Sequence, residues 1–177
     1  MKILSVKWMF CLVALLVLVL DQASKRAIME GMQLRQSIDL PGGFLQLTYI
    51  HNSGGAFGLF PQGGPLFLVT GLVVTLGMLW ALPRLERWGW WTSMACAMIL
   101  GGTIGNLVDR VRFGSVVDFL DLGWWPIFNV ADMGISVGIT ILLAQMLFAP
   151  HEAHPEPAAE PESPEPPLLR AGPELEA

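Results

Sequence analysis

Carboxylate side chains are the groups best suited to chemistry in the first 150 residues of this chain. A charged group inside a lipid bilayer costs at least about 2.5 kcal/mol on insertion scales, so an acid beside a membrane segment usually has a function. Two carboxylates that lie close together cannot both ionise easily, and such a pair can activate a water molecule and protonate a leaving amine. Five of the eight acids in this region lie at or beside the ends of apolar segments: Asp21, Asp109, Asp118, Asp121 and Asp132.

Asp118 is the least ordinary of these acids, because it interrupts the apolar segment Val116–Leu120. A lone acid in such a segment needs either a hydrogen-bonding partner or a function. If the apolar segments form antiparallel membrane helices, the ends that carry the five acids converge on one side, away from the cytoplasm. The pattern therefore favours a pair of carboxylates on that side.

The other acids also have purely structural interpretations. Asp21 and Lys25 are spaced i, i+4 and could form a simple ion pair along a helix. Asp109 could lie at a solvated helix end. Asp132 follows Asn129 by three residues, the spacing of a helix cap, and could serve only to stabilise the start of a helix. For these acids the structural and the functional interpretation both stay open.

Other common catalytic patterns are not visible in the sequence. The sequence contains no G-x-S-x-G segment and no Ser/His arrangement. Cys11 and Cys96 each lie in an apolar run and make no CxxC pair, which indicates buried thiols. His151 and His154 are one residue too close for the helical zinc pattern HExxH. We therefore expect no metal and no cofactor, and paired aspartates with water remain as the chemistry.

Four apolar stretches must position the acids, and each is long enough, or nearly so, to cross a bilayer as a helix. Charged residues make up only 14% of the chain and hydrophobic residues 53%, against about 25% charged residues in soluble domains. This composition argues against a soluble enzyme and against a nucleic-acid-binding protein. The sequence predicts an α-helical integral membrane protein in which residues 1–150 form one domain, with transmembrane helices at about 8–24, 65–82, 88–108 and 132–148.

The first apolar stretch could instead be a cleaved signal peptide, with Lys2 and Lys7 as its basic start. The segment that follows, Asp21–Lys25, is a poor cleavage site and favours a retained helix. Lysine and arginine counts tie between the two membrane sides, but the short basic N-terminus and the two arginines of Pro83–Arg87 favour cytoplasmic N- and C-termini. Residues 151–177 are rich in proline and glutamate and are predicted to form a disordered cytoplasmic tail.

A short strand is predicted in the first long connection between helices. Phe44–Ile50 alternates apolar and polar residues and is bracketed by glycine-rich turns. This pattern predicts a small extracytoplasmic β-sheet that lies on the membrane surface. The second long connection, Asp109–Val130, contains Trp124 and Trp125, which suit the interface between membrane and water.

Five segments, in order, resemble the motif set of bacterial lipoprotein signal peptidase (signal peptidase II). Each motif alone would be a weak signal, but all five in order between four membrane spans are a strong one. The resemblance extends from residue 21 to about residue 138. The segments are Asp21–Lys25, Asn52–Gly58, Gly102–Arg110, Val116–Phe119 and Phe128–Asp132.

This resemblance implies an aspartyl endopeptidase of the bacterial cell (inner) membrane, with its active site toward the extracytoplasmic face. Its implied substrates are prolipoproteins modified with a diacylglyceryl group, from which it removes signal peptides. Membrane lipid is the other expected partner, and the chain is expected to act as a monomer. The catalytic pair of the family corresponds to Asp118 and Asp132. Further residues correspond to positions that bind substrate or support the site: Asp21, Lys25, Asn52, Asn106, Arg110 and Asn129.

Two positions depart from the family pattern, with Gly55 in place of alanine and Met133 in place of serine. Both flank the site and supply no carboxylate, so they bear on fine substrate preference rather than on activity. A small proton-coupled transporter is the alternative function, since it would also place acids at membrane depth. Such a transporter usually needs acids near helix midpoints, whereas these acids cluster at helix ends. A structural assembly protein would explain the glycine-rich helices but not Asp118.

The two acids of the predicted pair have different surroundings. Asp132 lies near a predicted helix start, where unpaired N–H groups and the helix dipole favour a negative charge. Asp118 lies between Val117 and Phe119, where poor solvation favours the neutral acid. We therefore expect Asp132 to act as the base toward water and Asp118 as the acid toward the scissile carbonyl.

Overall fold

The structure is a computed structural model, and it describes residues 3–54 and 63–148. Gly55 and the predicted tail at 151–177 lie outside the described residues. The elements in chain order are α1 (Ile3–Gly31), β1 (Ser37–Asp39), β2 (Gln46–Asn52), α2 (Gly64–Ala81), a 3₁₀ helix (Leu82–Arg87), α3 (Gly89–Phe113), β3 (Val116–Asp121) and α4 (Val130–Phe148).

Four of the described helices, α1 to α4, are long and apolar enough to cross a membrane, and the strands form one small sheet. The predicted fold class is therefore confirmed. Two helices are longer than predicted, since α1 ends at Gly31 and α3 ends at Phe113 rather than near residues 24 and 108. The first charged residues beyond the predicted ends, Lys25 and Asp109, are buried and paired with each other.

The central helix is α3, which packs against α1, α2 and α4. Small residues on its surface let neighbouring helices approach closely. A Cβ atom at Gly101 would meet the backbone carbonyl of Ala14 on α1. A Cβ atom at Gly105 would meet the carboxylate of Asp21, so this glycine makes room for a buried acid. The glycines of α3 thus serve both helix packing and the placement of a charged group.

The three strands form one antiparallel sheet in the order β1-β2-β3. The predicted strand corresponds to β2, whereas β3 lies in the second long connection, for which no strand is predicted. Ile50 of β2 lies opposite Asp118 of β3. The sheet packs against the last turns of α1 through a buried cluster, so it holds Asp118 at the end of the bundle where α1 ends. The cluster consists of Ile28, Tyr49, Val117 and Phe119.

Candidate active site

Asp118 and Asp132 line one cavity of about 250 Å³ at the end of the bundle that carries the sheet. Asp118 lies on β3 and is only 2% exposed, whereas Asp132 is half-buried in the first turn of α4. The other walls of the cavity come from β2, from α3 and from residues 125–128. The structure thus brings the two acids of the predicted pair to one cavity, and we refer to them below as the aspartate pair.

Both carboxylate oxygens of Asp118 accept hydrogen bonds from asparagine side chains. Nδ2 of Asn52, the last residue of β2, donates to Oδ2 at 2.8 Å, and Nδ2 of Asn129 donates to Oδ1 at 2.7 Å. Desolvation by burial, followed by the negative charge of Asp132, raises the pKa of Asp118 to about 7, although both asparagines act to lower it. Asp118 therefore holds a proton over much of the range below neutral pH.

Asp132 forms a reciprocal cap with Asn129 at the start of α4. Its backbone N–H donates to Oδ1 of Asn129 at 2.9 Å, and the backbone N–H of Asn129 donates to Oδ2 of Asp132 at 3.2 Å. The capping spacing seen in the sequence is therefore confirmed. Oδ1 of Asp132 also accepts a hydrogen bond from Nδ2 of Asn106 at 2.8 Å. Because Asn129 donates to Asp118 as well, its side chain joins the two members of the aspartate pair.

Arg110 brings a positive charge to the same cavity. Its guanidinium carbon lies 5.2 Å from the centre of the Phe67 ring on α2, and the group interacts electrostatically with Asp132 and Asp118. Nη1 of Arg110 also donates a long hydrogen bond of 3.4 Å to the backbone carbonyl of Asn106. A fixed cation beside the cavity stabilises negative charge on the pair or on a molecule bound next to it.

A second set of charged groups lies directly behind the cavity, and we call Lys25, Asp21 and Asp109 the Lys25 cluster. Nζ of Lys25 lies 2.9 Å from Oδ2 of Asp21 and 2.8 Å from Oδ2 of Asp109, and Lys25 is only 1% exposed. The i, i+4 pair of Asp21 and Lys25 is thus present, but with a third member. The interpretation of Asp109 as a solvated helix end is wrong, because this carboxylate is buried against the lysine.

The Lys25 cluster fixes the backbone next to each acid of the aspartate pair. Oδ1 of Asp21 accepts the backbone N–H of Ala131 at 2.9 Å, one residue before Asp132. Oδ2 of Asp109 accepts the backbone N–H of Val117 at 3.1 Å, one residue before Asp118. The cluster therefore determines where β3 and α4 place the two acids.

Asn106 is the direct link between the Lys25 cluster and the aspartate pair. Its Oδ1 accepts a hydrogen bond from Nζ of Lys25 at 2.9 Å, and its Nδ2 donates to Oδ1 of Asp132. A lysine ammonium can only donate, so this contact fixes which end of the amide faces Lys25. The other end must then donate to Asp132. Nδ2 of Asn129 also donates to Oδ1 of Asn106, at 3.1 Å.

Sequence reasoning misses two residues of this network as site residues, Asp109 and Gln22. Nε2 of Gln22 lies within hydrogen-bond distance of Oδ2 of Asp21, the carbonyl of Gly105 and Oδ1 of Asp109. Both residues lie inside the motifs Asp21–Lys25 and Gly102–Arg110, which is the signal that could have found them. A position inside a motif does not reveal which partner a side chain has.

Two further residues singled out in the sequence lie away from the cavity. Asp121 accepts hydrogen bonds from the hydroxyl of Thr48 and the backbone N–H of Gly123, so it stabilises the end of β3. Met133 is 48% exposed and does not line the cavity. Within residues 3–54 and 63–148, no group of three or more His, Cys, Asp or Glu side chains is placed to hold a metal ion.

The geometry fits acid–base catalysis of hydrolysis. One acid of the aspartate pair is held in a poorly solvated site that favours its protonated form, and the other is capped at a helix start that favours its charge. A cavity that both acids line can hold a water molecule and a peptide carbonyl between them. The asparagines around the cavity present N–H groups to the two acids, and an N–H group can donate to a carboxylate oxygen or to an oxygen of the protonated carboxyl group.

Comparisons with known proteins give a consistent result. Residues 13–148 match the family model described as signal peptidase (SPase) II. The chain is 45% identical over 148 residues to the lipoprotein signal peptidase of Moorella thermoacetica, which covers 84% of this chain and 99% of that protein. It is 42% identical over 147 residues to the lipoprotein signal peptidase of Desulforapulum autotrophicum, which covers 78% of this chain and 91% of that protein.

Solved structures show the same architecture. A bacterial membrane enzyme determined by the in meso method at 2.3 Å resolution superposes with a TM-score of 0.73 at 27% sequence identity, over 78% of this chain and 87% of that chain. A second bacterial membrane enzyme, determined by the same method at 1.9 Å resolution, gives a TM-score of 0.70 at 26% identity, over 80% of this chain and 94% of that chain.

Proposed function

The chain belongs to the signal peptidase II family of aspartic membrane peptidases, and we propose that it removes signal peptides from prolipoproteins that carry a diacylglyceryl group. The observation that carries this proposal is the shared cavity of Asp118 and Asp132, in which one acid is held in a protonated form near neutral pH. Only this cavity among those described is lined by both acids.

In the proposed first step, water attacks the scissile carbonyl carbon. Asp132, ionised at the start of α4, takes a proton from the water, and Asp118 donates its proton to the carbonyl oxygen. The product of this step is a neutral gem-diol, with the proton now on Asp132 and the charge on Asp118. One acid accepts a proton while the other donates one. Neither oxygen of the gem-diol therefore has to carry a full negative charge in the poorly solvated cavity.

In the proposed second step, the carbon–nitrogen bond breaks. Asp132 gives its proton to the leaving nitrogen, and one hydroxyl of the gem-diol returns its proton to Asp118 as the carbonyl reforms. The products are a carboxylic acid and an amine, and both aspartates regain their starting protonation states. The cycle therefore consumes one water molecule and needs no cofactor.

The remaining predicted site residues have supporting roles in this proposal. Asn52 and Asn129 hold Asp118, and Asn106 holds Asp132. Arg110 stabilises negative charge in the cavity. Asp21 positions the helix that carries Asp132, and Lys25 holds both Asp21 and the Asp109 carboxylate that anchors β3.

A neighbouring cavity supports a substrate that carries lipid. It has a volume of about 290 Å³, lies between α2, α3 and α4, and shares Asn106, Arg110, Asp132 and Ile135 with the first cavity. Most of its further lining is apolar, as from Phe67 and Leu107. A peptide with an acylated residue next to the scissile bond could place the peptide in the first cavity and apolar chains toward the second.

We further propose that the N- and C-termini are cytoplasmic and that the catalytic end of the bundle faces the extracytoplasmic side of the bacterial membrane. An even number of spans, α1 to α4, supports termini on one side. The arginines of the 3₁₀ helix lie at the end of the bundle opposite the aspartate pair, which supports a cytoplasmic location for that end. We also propose that residues 1–150 form the peptidase domain and that the enzyme acts as a monomer.

The decisive experiment is cleavage of a prolipoprotein by the purified protein in lipid vesicles. We expect cleavage of the diacylglyceryl-modified form and at least about tenfold slower cleavage of the same precursor without lipid, because the apolar cavity then stays empty. Equal rates for the two forms would contradict the lipid requirement. Proton uptake into vesicles without any cleavage would instead support the transporter alternative.

A further inference from the structure

A groove of about 840 Å³ lies between the last turns of α1 and α3, and it shares no lining residue with the cavity of the aspartate pair. Val19, Met29 and Phe113 provide an apolar part of its wall. Arg26 and Arg112 lie on its rim with a single acid, Glu30, so the rim has an excess of one positive charge. Neither the catalytic mechanism nor the Lys25 cluster uses these three charged residues.

Helix geometry places both arginines at the depth of lipid headgroups. A helix rises about 1.5 Å per residue, so Arg26 lies about 27 Å along α1 from Trp8, and Arg112 lies about 32 Å along α3 from Trp91. Both tryptophans are exposed, at 70% and 61%, as expected of side chains at a membrane interface. The two distances match the thickness of a hydrocarbon core, about 30 Å. If the tryptophans lie at one membrane interface, the arginines therefore lie at the opposite interface.

The two guanidinium groups have donors left for a ligand. Glu30 contacts Nε of Arg26 at 2.7 Å, which uses one of the five N–H donors of that arginine. Arg112 lies 5.0 Å from the centre of the Phe113 ring and, among the described residues, forms no ion pair. Arginine binds phosphate well because its planar fork of donors matches the phosphate oxygens.

An apolar path leads from the groove along the outside of α1. Leu12, Leu16 and Val19 are exposed at 66%, 53% and 53%, and their spacing puts them on one face of the helix below Arg26. An acyl chain can lie along this face while its headgroup reaches the arginines. The groove has a basic rim at headgroup depth and an apolar track as long as an acyl chain. These two features fit an amphipathic anion better than a soluble one.

We propose that this groove binds an anionic phospholipid, with the phosphate between Arg26 and Arg112 and one acyl chain along α1. The site lies on a different face of the bundle from the aspartate pair, and its occupation does not depend on peptidase activity. Glu30 competes with the phosphate for Arg26, so its carboxylate weakens the binding.

The test measures lipid retention by native mass spectrometry of the full chain released from nanodiscs of phosphatidylcholine with added phosphatidylglycerol. We expect the wild type to retain phosphatidylglycerol selectively, and Arg26→Gln and Arg112→Gln each to lower that selectivity about fivefold, from roughly 1 kcal/mol per basic residue near an anionic headgroup. Glu30→Gln should raise the selectivity, because it frees Arg26. The matched control is Arg84→Gln, since Arg84 lies on Trp80 at the opposite end of the bundle and should leave the selectivity unchanged.

Three outcomes would overturn the proposal. Unchanged selectivity in the double variant Arg26→Gln/Arg112→Gln would show that the groove does not bind the lipid. An equal loss in Arg84→Gln would show a general effect of charge. Displacement of the lipid by millimolar glycerol phosphate would show that a free phosphate, and not a lipid, is the ligand. A melting temperature for each variant separates lost binding from lost folding.

Discussion

Two buried groups of aspartates lie side by side at one end of the bundle, and they differ in the donors they face. Asp21 and Asp109 both contact the ammonium of Lys25, and backbone N–H groups hold them further. The donors that hold Asp118 and Asp132 are neutral amides, from asparagine side chains and from the backbone of Asn129, and both acids line a cavity. An ammonium stabilises the charged form of the carboxylate it touches, whereas a neutral amide can hold a carboxyl group in either protonation state.

This difference explains how one residue type serves two purposes within a small volume. The Lys25 cluster holds fixed charges and uses them to anchor β3 and α4. The aspartate pair keeps a proton that can move. Asn106 contacts both groups, so the fixed charges orient an amide that then donates to Asp132.

The largest expected effect is on catalysis. Asp118→Asn and Asp132→Asn should each lower the cleavage rate by about 10²–10⁴-fold, the usual contribution of a general acid or base. The matched control is Asp121→Asn, an acid on the same strand as Asp118 that contacts Thr48 and Gly123 instead of the cavity. Substantial turnover by either pair variant in purified form, measured with the lipidated precursor, would refute the pair.

The next effect is on stability and concerns the Lys25 cluster. Lys25→Met should destabilise the protein by about 3–5 kcal/mol, because it leaves two buried carboxylates without their cation. Arg26→Met is the matched control, since Arg26 forms an i, i+4 pair with Glu30 on the same helix, but that pair is exposed. Exposed pairs contribute little to stability, because water and salt screen them. Thermal unfolding in detergent measures the stability of both variants. Equal losses of stability would show that the burial of an ion pair does not determine its contribution.

Charge reversal within the cluster tests its third member. Asp21→Lys combined with Lys25→Asp should recover part of the stability that either single variant loses, but not all of it. The new acid at position 25 would face Asp109, which the original lysine contacts at 2.8 Å. Adding Asp109→Asn should raise the recovery. A double-mutant cycle with no interaction energy between positions 21 and 25 would refute the pairing.

A smaller loss is expected at a glycine that makes room for the cluster. Gly105→Ala should cost about 1–3 kcal/mol, because the new Cβ would meet the carboxylate of Asp21 and force it to move. Gly77→Ala on α2 is the control, since a Cβ there meets no atom within 4 Å. That change should be neutral or slightly stabilising, by up to about 1 kcal/mol, because alanine favours a helix. Equal melting temperatures for the two variants would contradict the close contact.

The smallest effect is a shift in pH dependence. Cleavage should fall as the pH rises through about 7, because Asp118 then loses the proton that it donates. Asn52 lowers the pKa of Asp118, so Asn52→Leu should raise it and move this falling limb to higher pH. The measurement is the pH profile of kcat/KM for both enzymes. If the falling limb of Asn52→Leu moved to lower pH instead, Asn52 would raise the pKa of Asp118 rather than lower it.

The same titration also affects stability, with a sign that follows from its direction. Because the pKa of Asp118 is raised to about 7 from 3.8, the folded protein binds more protons than the unfolded chain between these values. Stability should therefore fall as the pH rises from about 4 through 7. Asp118→Asn removes this titration, so its melting temperature should depend less on pH than that of the wild type.

Much of the fold follows from the sequence, because each apolar helix must satisfy its own backbone in lipid and can be recognised from length and composition. The strand β2 is also visible in its alternating pattern. The strand β3 is not, because it contains Asp118 between apolar residues and forms only by pairing with β2 and by donating from Val117 to Asp109. The ends of α1 and α3 are also missed, because buried ion pairs let charged residues continue a helix.

The residue types available for chemistry can be read from the sequence alone, as can the number of apolar helices and the order of the motifs that carry the aspartates. The folded arrangement is needed to show which aspartates lie together and which contact Lys25. The physical reason is that a carboxylate's role depends on the donors within about 3 Å of its oxygens, and here those donors come from segments far apart in the chain. Asp109 and Asp118 are nine positions apart, yet one contacts an ammonium from α1 and the other an amide from β2.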